Sequence, residues 1–82
     1  MELKDTVKMM EDSDFKERLK AEYYQAKIRK AKLLKILAQE EKQTLPFKLT
    51  CPVEILKEQA FCMDGYIRIL EMRAAYEDID LY

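Results

Sequence analysis

Residues 14–42 read DFKERLKAEYYQAKIRKAKLLKILAQEEK. No Pro or Gly interrupts them, and Ala, Leu, Lys, Glu and Gln fill most positions, all good helix formers. Asp12, Ser13 and Asp14 stand where a helix would start. Asp14 with Glu17 fits an Asp-x-x-Glu variant of the capping box. The stretch predicts one long helix over 14–42, about 40 Å long at ~1.5 Å per residue.

Beyond it, residues 43–50 form a connector. Pro46 and the β-branched Thr44 and Thr50 stop the helix, and Leu45 and Phe47 are expected to tuck under the hairpin end. A second long helix is predicted over 51–75. Pro52 suits its first position, where the missing N–H costs nothing. Thr50 or Cys51 then serves as N-cap, and Glu54 lies near the positive helix start. Gly65 sits inside this helix and marks either a close helix–helix approach or a tolerated neutral residue. The tail 76–82 carries Tyr76, Ile79, Leu81 and Tyr82 and either docks in a groove or stays loose. Before the long helix, Leu3, Val7 and Met10 fall at i, i+4, i+7 and predict a short helix over 2–11.

Placing residues at ~100° steps around each helix reveals two apolar stripes per helix. In the second helix, Leu56, Ala60, Met63, Ile67, Leu70 and Ala74 make one seam at alternating spacings of four and three. Ile55, Cys62, Tyr66 and Ile69 make another. In the first helix, Phe15, Leu19, Tyr23, Ala26, Leu33 and Leu37 form one stripe. Tyr24, Ala31 and Ala38, with Ala21 and Ile28 further round, form the other. A hairpin needs one stripe per helix for its own core. The surplus, with Ile28, Ile55, Cys62, Tyr66 and Ile69 as interface candidates, predicts self-association. The expected fold is all-α: a single domain built as a long antiparallel helical hairpin with a short N-terminal helix, assembling as a homo-oligomeric helical bundle. Periodicity leaves open which stripe of each helix faces inward, and the oligomer number.

Composition narrows the chemistry. The chain has 82 residues, no His and two Cys, so a four-ligand Cys/His site within one chain is excluded, as is a Cys–His nucleophile. Cys51 and Cys62 read as free structural thiols of a cytosolic protein. Fifteen basic and sixteen acidic side chains leave a net charge of −1. That balance argues against general nucleic-acid binding, which shows as a basic footprint, and against an acidic DNA mimic. No segment approaches the ~18 apolar residues that cross a membrane, and residues 1–12 lack the apolar run of a signal peptide. No carboxylate pair is set apart by an apolar pocket, and no Gly-rich phosphate loop is present, so a non-enzymatic protein without a cofactor is expected.

One run carries recognition chemistry. Residues 18–30 hold five cations, Arg18, Lys20, Lys27, Arg29 and Lys30, with Tyr23 and Tyr24 among them. Arg grips phosphate bidentately and Tyr stacks on a base, so such a face can line a site for a small phosphorylated ligand between copies. Lys20, Tyr24, Lys27 and Arg29 are the candidates on the first helix, joined by Arg68 and Arg73 on the second. The same run also reads as a solvated helix face with Glu–Arg and Glu–Lys pairs.

Residues 14–29, Asp14-Phe15-Lys16-Glu17-Arg18-Leu19 through Ile28-Arg29, resemble the opening of a group of short proteins encoded by phages and prophages. Cys51-Pro52-Val53-Glu54-Ile55-Leu56-Lys57-Glu58-Gln59, then Met63, Tyr66, Leu70-Glu71 and Arg73-Ala74, continue the likeness. Together they resemble the crAss-phage-related small helical proteins over residues 10–80. The resemblance implies a phage accessory protein acting in the cytoplasm of a bacterial host. Such proteins often antagonise host defence, by one of two routes. A sponge sequesters a nucleotide-derived immune signal in an inter-subunit site without cutting it, and the basic-aromatic run favours this route. A plug instead blocks a host nuclease or effector through a helical surface. A third reading is a purely structural or regulatory phage oligomer.

Overall fold

The structure, a computed structural model, describes residues 1–81. Tyr82, included above in the tail, lies outside the described residues. A 3-10 turn, Leu3–Thr6, runs into the short helix α1, Val7–Met10. Two long helices follow, α2 over Phe15–Glu41 and α3 over Val53–Tyr76. Among the described residues there is no strand. The long axis of the molecule, 43 Å, is that of α2, whose 27 residues at ~1.5 Å each span about 40 Å.

Local chemistry explains the boundaries. Asp14 is the N-cap of α2, its carboxylate accepting from the Lys16 N–H at 3.0 Å. Glu17 does not close the reciprocal half of the box but pairs with Lys20 at 3.5 Å. The reciprocal box forms instead at the start of the chain, between Glu2 and Asp5. Pro52 occupies the N-cap of α3 itself, one position earlier than its lack of an N–H suggested, and adds no side-chain cap.

Leu19, Tyr23, Ala26, Ile67, Leu70, Ala74, Ile79 and Leu81 make the main core. These come from the stripe of α2 that begins at Phe15, the α3 stripe of Leu56 to Ala74, and the tail. The core gathers where the start of α2 meets the end of α3. Toward the connector the packing thins to Leu33 and Ala60. Phe47 is 53% exposed and Leu45 only half-buried, so the expected plug does not form. The connector there has no third element to bury a ring against.

The second stripe of α2 is covered within the chain only near its start, at Ala21 and Tyr24; Ile28 is half-buried and Ala31 and Ala38 are exposed. Ala21 is fully buried, on the side of α2 that also carries Gln25. The Gln25 amide donates to the Thr6 hydroxyl at 2.8 Å, which in turn donates to the Leu3 carbonyl at 2.7 Å. Thr6 is thereby fully buried with both its hydroxyl roles satisfied. Tyr24 packs against the main core and donates to the carbonyl of Leu81. The tail therefore docks on its own hairpin.

Candidate functional site

The basic-aromatic run of α2 divides between two sides of the hairpin. On one side a groove of about 340 Å³ runs between α2 and α3, lined by Lys27, Lys30, Ala31, Leu34, Asp64, Ile67 and Glu71. Its volume lies near the lower end of the ~300–1,000 Å³ range of ligand clefts. Ala31, Leu34 and Ile67 supply apolar surface. The charged groups come from both helices, because Lys27, Lys30 and Leu34 recur at i+3 and i+7 on α2 while Asp64, Ile67 and Glu71 recur at i+3 and i+7 on α3.

Each charged group in the groove is held. Lys30 Nζ donates to Asp64 at 2.7 Å, and Arg68 reaches the other oxygen of the same carboxylate at 3.6 Å. The hydrogen bond from Lys30 and then its charge hold the Asp64 carboxyl below its ordinary value; desolvation opposes them by more than the charge of Arg68 adds. The Lys27 ammonium lies 5.4 Å from the centre of the Tyr23 ring, a cation–π distance. The Tyr23 hydroxyl donates to Glu71 at 3.1 Å, which crosses from α2 to α3. Two cations, Lys27 and Lys30, thus stand against two carboxylates, Asp64 and Glu71, and Arg68 reaches Asp64 from outside the lining.

The candidates from sequence fall as follows. Lys27 lines this groove, while Arg68 does not line it and reaches only the Asp64 carboxylate. Lys20 is half-buried about two turns before Lys27 on α2 and paired with Glu17. Tyr24 tilts against Tyr23, ring centres 5.8 Å apart, with its hydroxyl engaged by the tail. Arg29 lies on the opposite side of the hairpin, in a smaller groove of about 220 Å³ with Glu22, Gln25, Ala26, Met63 and Tyr66. Arg73 is exposed on α3 and makes no ion pair among the described residues. One chain therefore does not bring Lys27, Arg29 and Arg73 to a common point. Lys30 was not among the candidates; its i+3 spacing from Lys27 was the available signal, and its cross-helix partner Asp64 gave none.

Of the interface candidates, Ile55, Cys62, Tyr66 and Ile69 are exposed and Ile28 is half-buried. Among the described residues no cluster of His, Cys, Asp or Glu could hold a metal ion, and no helix is long and apolar enough to cross a membrane.

No curated protein and no solved structure matches the chain. A family model does, that of Sequestin, over residues 13–76. The match runs from the capping segment of α2 to the last residue of α3, and so takes in both walls of the groove. With the whole hairpin covered, the chain belongs to the Sequestin family.

Proposed function

We propose that the protein binds and sequesters a nucleotide-derived immune signal without cutting it. In this reading it is a phage accessory protein that blunts host antiviral defence in the bacterial cytoplasm, and its site is completed between copies of the chain. The family name speaks of sequestering. The observation that carries the reading is the groove, where Lys27 and Lys30 stand beside Ala31, Leu34 and Ile67, with Arg68 reaching the Asp64 carboxylate from outside the lining. Ammonium and guanidinium groups grip phosphate, and an apolar wall takes the face of a base or ribose. Such contacts hold a ligand by its charge and shape and supply no nucleophile. Because the groove is open to solvent, a second copy would both enclose the ligand and bring in a cation that one chain keeps apart, such as Arg29.

Native mass spectrometry with cyclic mono-, di- and trinucleotides and ADP-ribose derivatives tests this. The expected result is intact ligand retained in fixed stoichiometry. Lys27→Ala with Lys30→Ala should weaken retention at least about tenfold, the scale of a lost charge-assisted contact. Lys16→Ala with Lys35→Ala, which alters cations outside the groove, should leave it unchanged. If no nucleotide is retained, or if the groove variant binds as tightly as the parent, the reading fails.

A further inference from the structure

The outer face of α3 is unpartnered and apolar, and its pattern is that of a seam. From Ile55, seven-residue steps lead to Cys62, Ile69 and Tyr76, and the positions between them are Glu58, Gly65 and Met72. That is an unbroken heptad alternation of three and four over almost the whole helix. The core stripe of α3 lies on another side, so this repeat serves nothing inside the chain. Its large side chains range from 52% exposed at Ile69 to 89% at Tyr76.

We propose that two copies pack antiparallel along these outer faces, about a two-fold axis between Gly65 and Tyr66. The inference rests on the reading that the protein works as an assembly of its own copies, and is independent of what it binds.

Three observations carry it. The first is charge. Among the described residues Glu58 and Arg73 make no ion pair. With the axis between Gly65 and Tyr66, Glu58 of one copy faces Arg73 of the other, Cys62 faces Ile69, and Ile55 faces Tyr76. A parallel pairing would set Glu58 on Glu58 and Arg73 on Arg73, which is repulsive. The face is therefore self-complementary in one direction only, as a two-fold interface requires. The second is Gly65, the one glycine of the chain. A Cβ built there meets nothing within 4 Å, so no contact inside the chain demands glycine. In the antiparallel register it faces the Tyr66 ring of the second copy, and its bare backbone leaves room for that ring. The third is area. The chain exposes 6266 Å², where a compact monomer of its mass exposes about 5,200 Å². The difference is of the order of the ~800 Å² that each partner contributes to a standard interface.

Size-exclusion chromatography with light scattering, on the full chain without ligand at tens of micromolar, tests the proposal. The mass should be that of a dimer or an even multiple. Gly65→Gln should raise the dissociation midpoint at least about tenfold while far-UV circular dichroism keeps its helical signal. Glu58→Arg and Arg73→Glu should each weaken the dimer, and the two together should restore it. A monomer at every concentration overturns the interface, as does a Gly65→Gln protein with the parent's midpoint, or a charge swap that fails to rescue. A dimer that captures no nucleotide overturns only the proposed ligand.

Discussion

Asp64 ties the hairpin together at the centre of the groove, taking Lys30 from α2 and Arg68 from its own helix. Its carboxyl is held below its ordinary value of 3.8 by those two cations, Lys30 first. A group lowered in the folded state stabilises above its unfolded pKa, and that contribution is lost as pH falls through the folded value. The stability difference between the parent and Asp64→Asn should therefore be constant from neutral pH to about pH 5. It should begin to shrink near 3.8 and vanish once pH has fallen through the lower folded value. Urea titrations at several pH values read this, and a difference that grows toward low pH would show the sign to be wrong. With its side chain 47% exposed, Asp64 contributes modestly, as screened pairs do. Of this site the sequence singled out Arg68 as a candidate, and neither Lys30 nor Asp64. Lys30 and Asp64 are 34 residues apart, and nothing in the order of residues distinguishes Asp64 from the other carboxylates.

Both long helices end the same way. Gln43 and Asp78 adopt positive φ, 58° and 56°, and the N–H of the next residue reaches back to the last turn. Thr44 N–H donates to Gln39 at 2.9 Å and Ile79 N–H to Ala74 at 2.8 Å. This is the Schellman arrangement, built here without glycine. At the end of α3 it reverses the chain and returns Ile79 and Leu81 to the core, 9% and 5% exposed. The tail is thus a packed element. Leu81→Ala should cost about 2 kcal/mol or more, measured as a lower urea midpoint with an unchanged slope. A loss below about 0.5 kcal/mol would mark the tail as unimportant to stability. The tail was ambiguous in sequence because neither Asn nor Gly announces the left-handed turn at Asp78.

The whole molecule is a rod of 43 × 23 × 19 Å with a radius of gyration of 15.0 Å, against about 12 Å for a compact chain of this length. A rod has little interior, and its core is confined to one half of the hairpin. Phe61, Met72 and Tyr76 remain in water at 72%, 56% and 89% exposure. Burying them between copies would add apolar stabilisation of about 25 cal/mol per Å², reduced by the cost of association. The melting temperature should accordingly rise with protein concentration, since a dimer favours its folded state by mass action. Differential scanning calorimetry across a hundred-fold dilution reads this, and a melting temperature independent of concentration would leave the fold to stand on its single chain.

The order of residues by itself determined the helices, their approximate ends and the presence of two apolar stripes on each, because periodicity and capping are local properties of the chain. It also determined that the seam Leu56 to Ala74 and the face Ile55 to Ile69 are separate surfaces. Only the tertiary structure decided which of them is inside. Both are apolar at helical spacing, and the choice depends on what α2 presents opposite. Tyr23 reaches Glu71, Lys30 reaches Asp64, and Leu19 and Ala26 meet the Leu70 and Ala74 side. Those cross-helix contacts join residues far apart in the chain, and they turn Ile55, Cys62, Ile69 and Tyr76 outward to solvent.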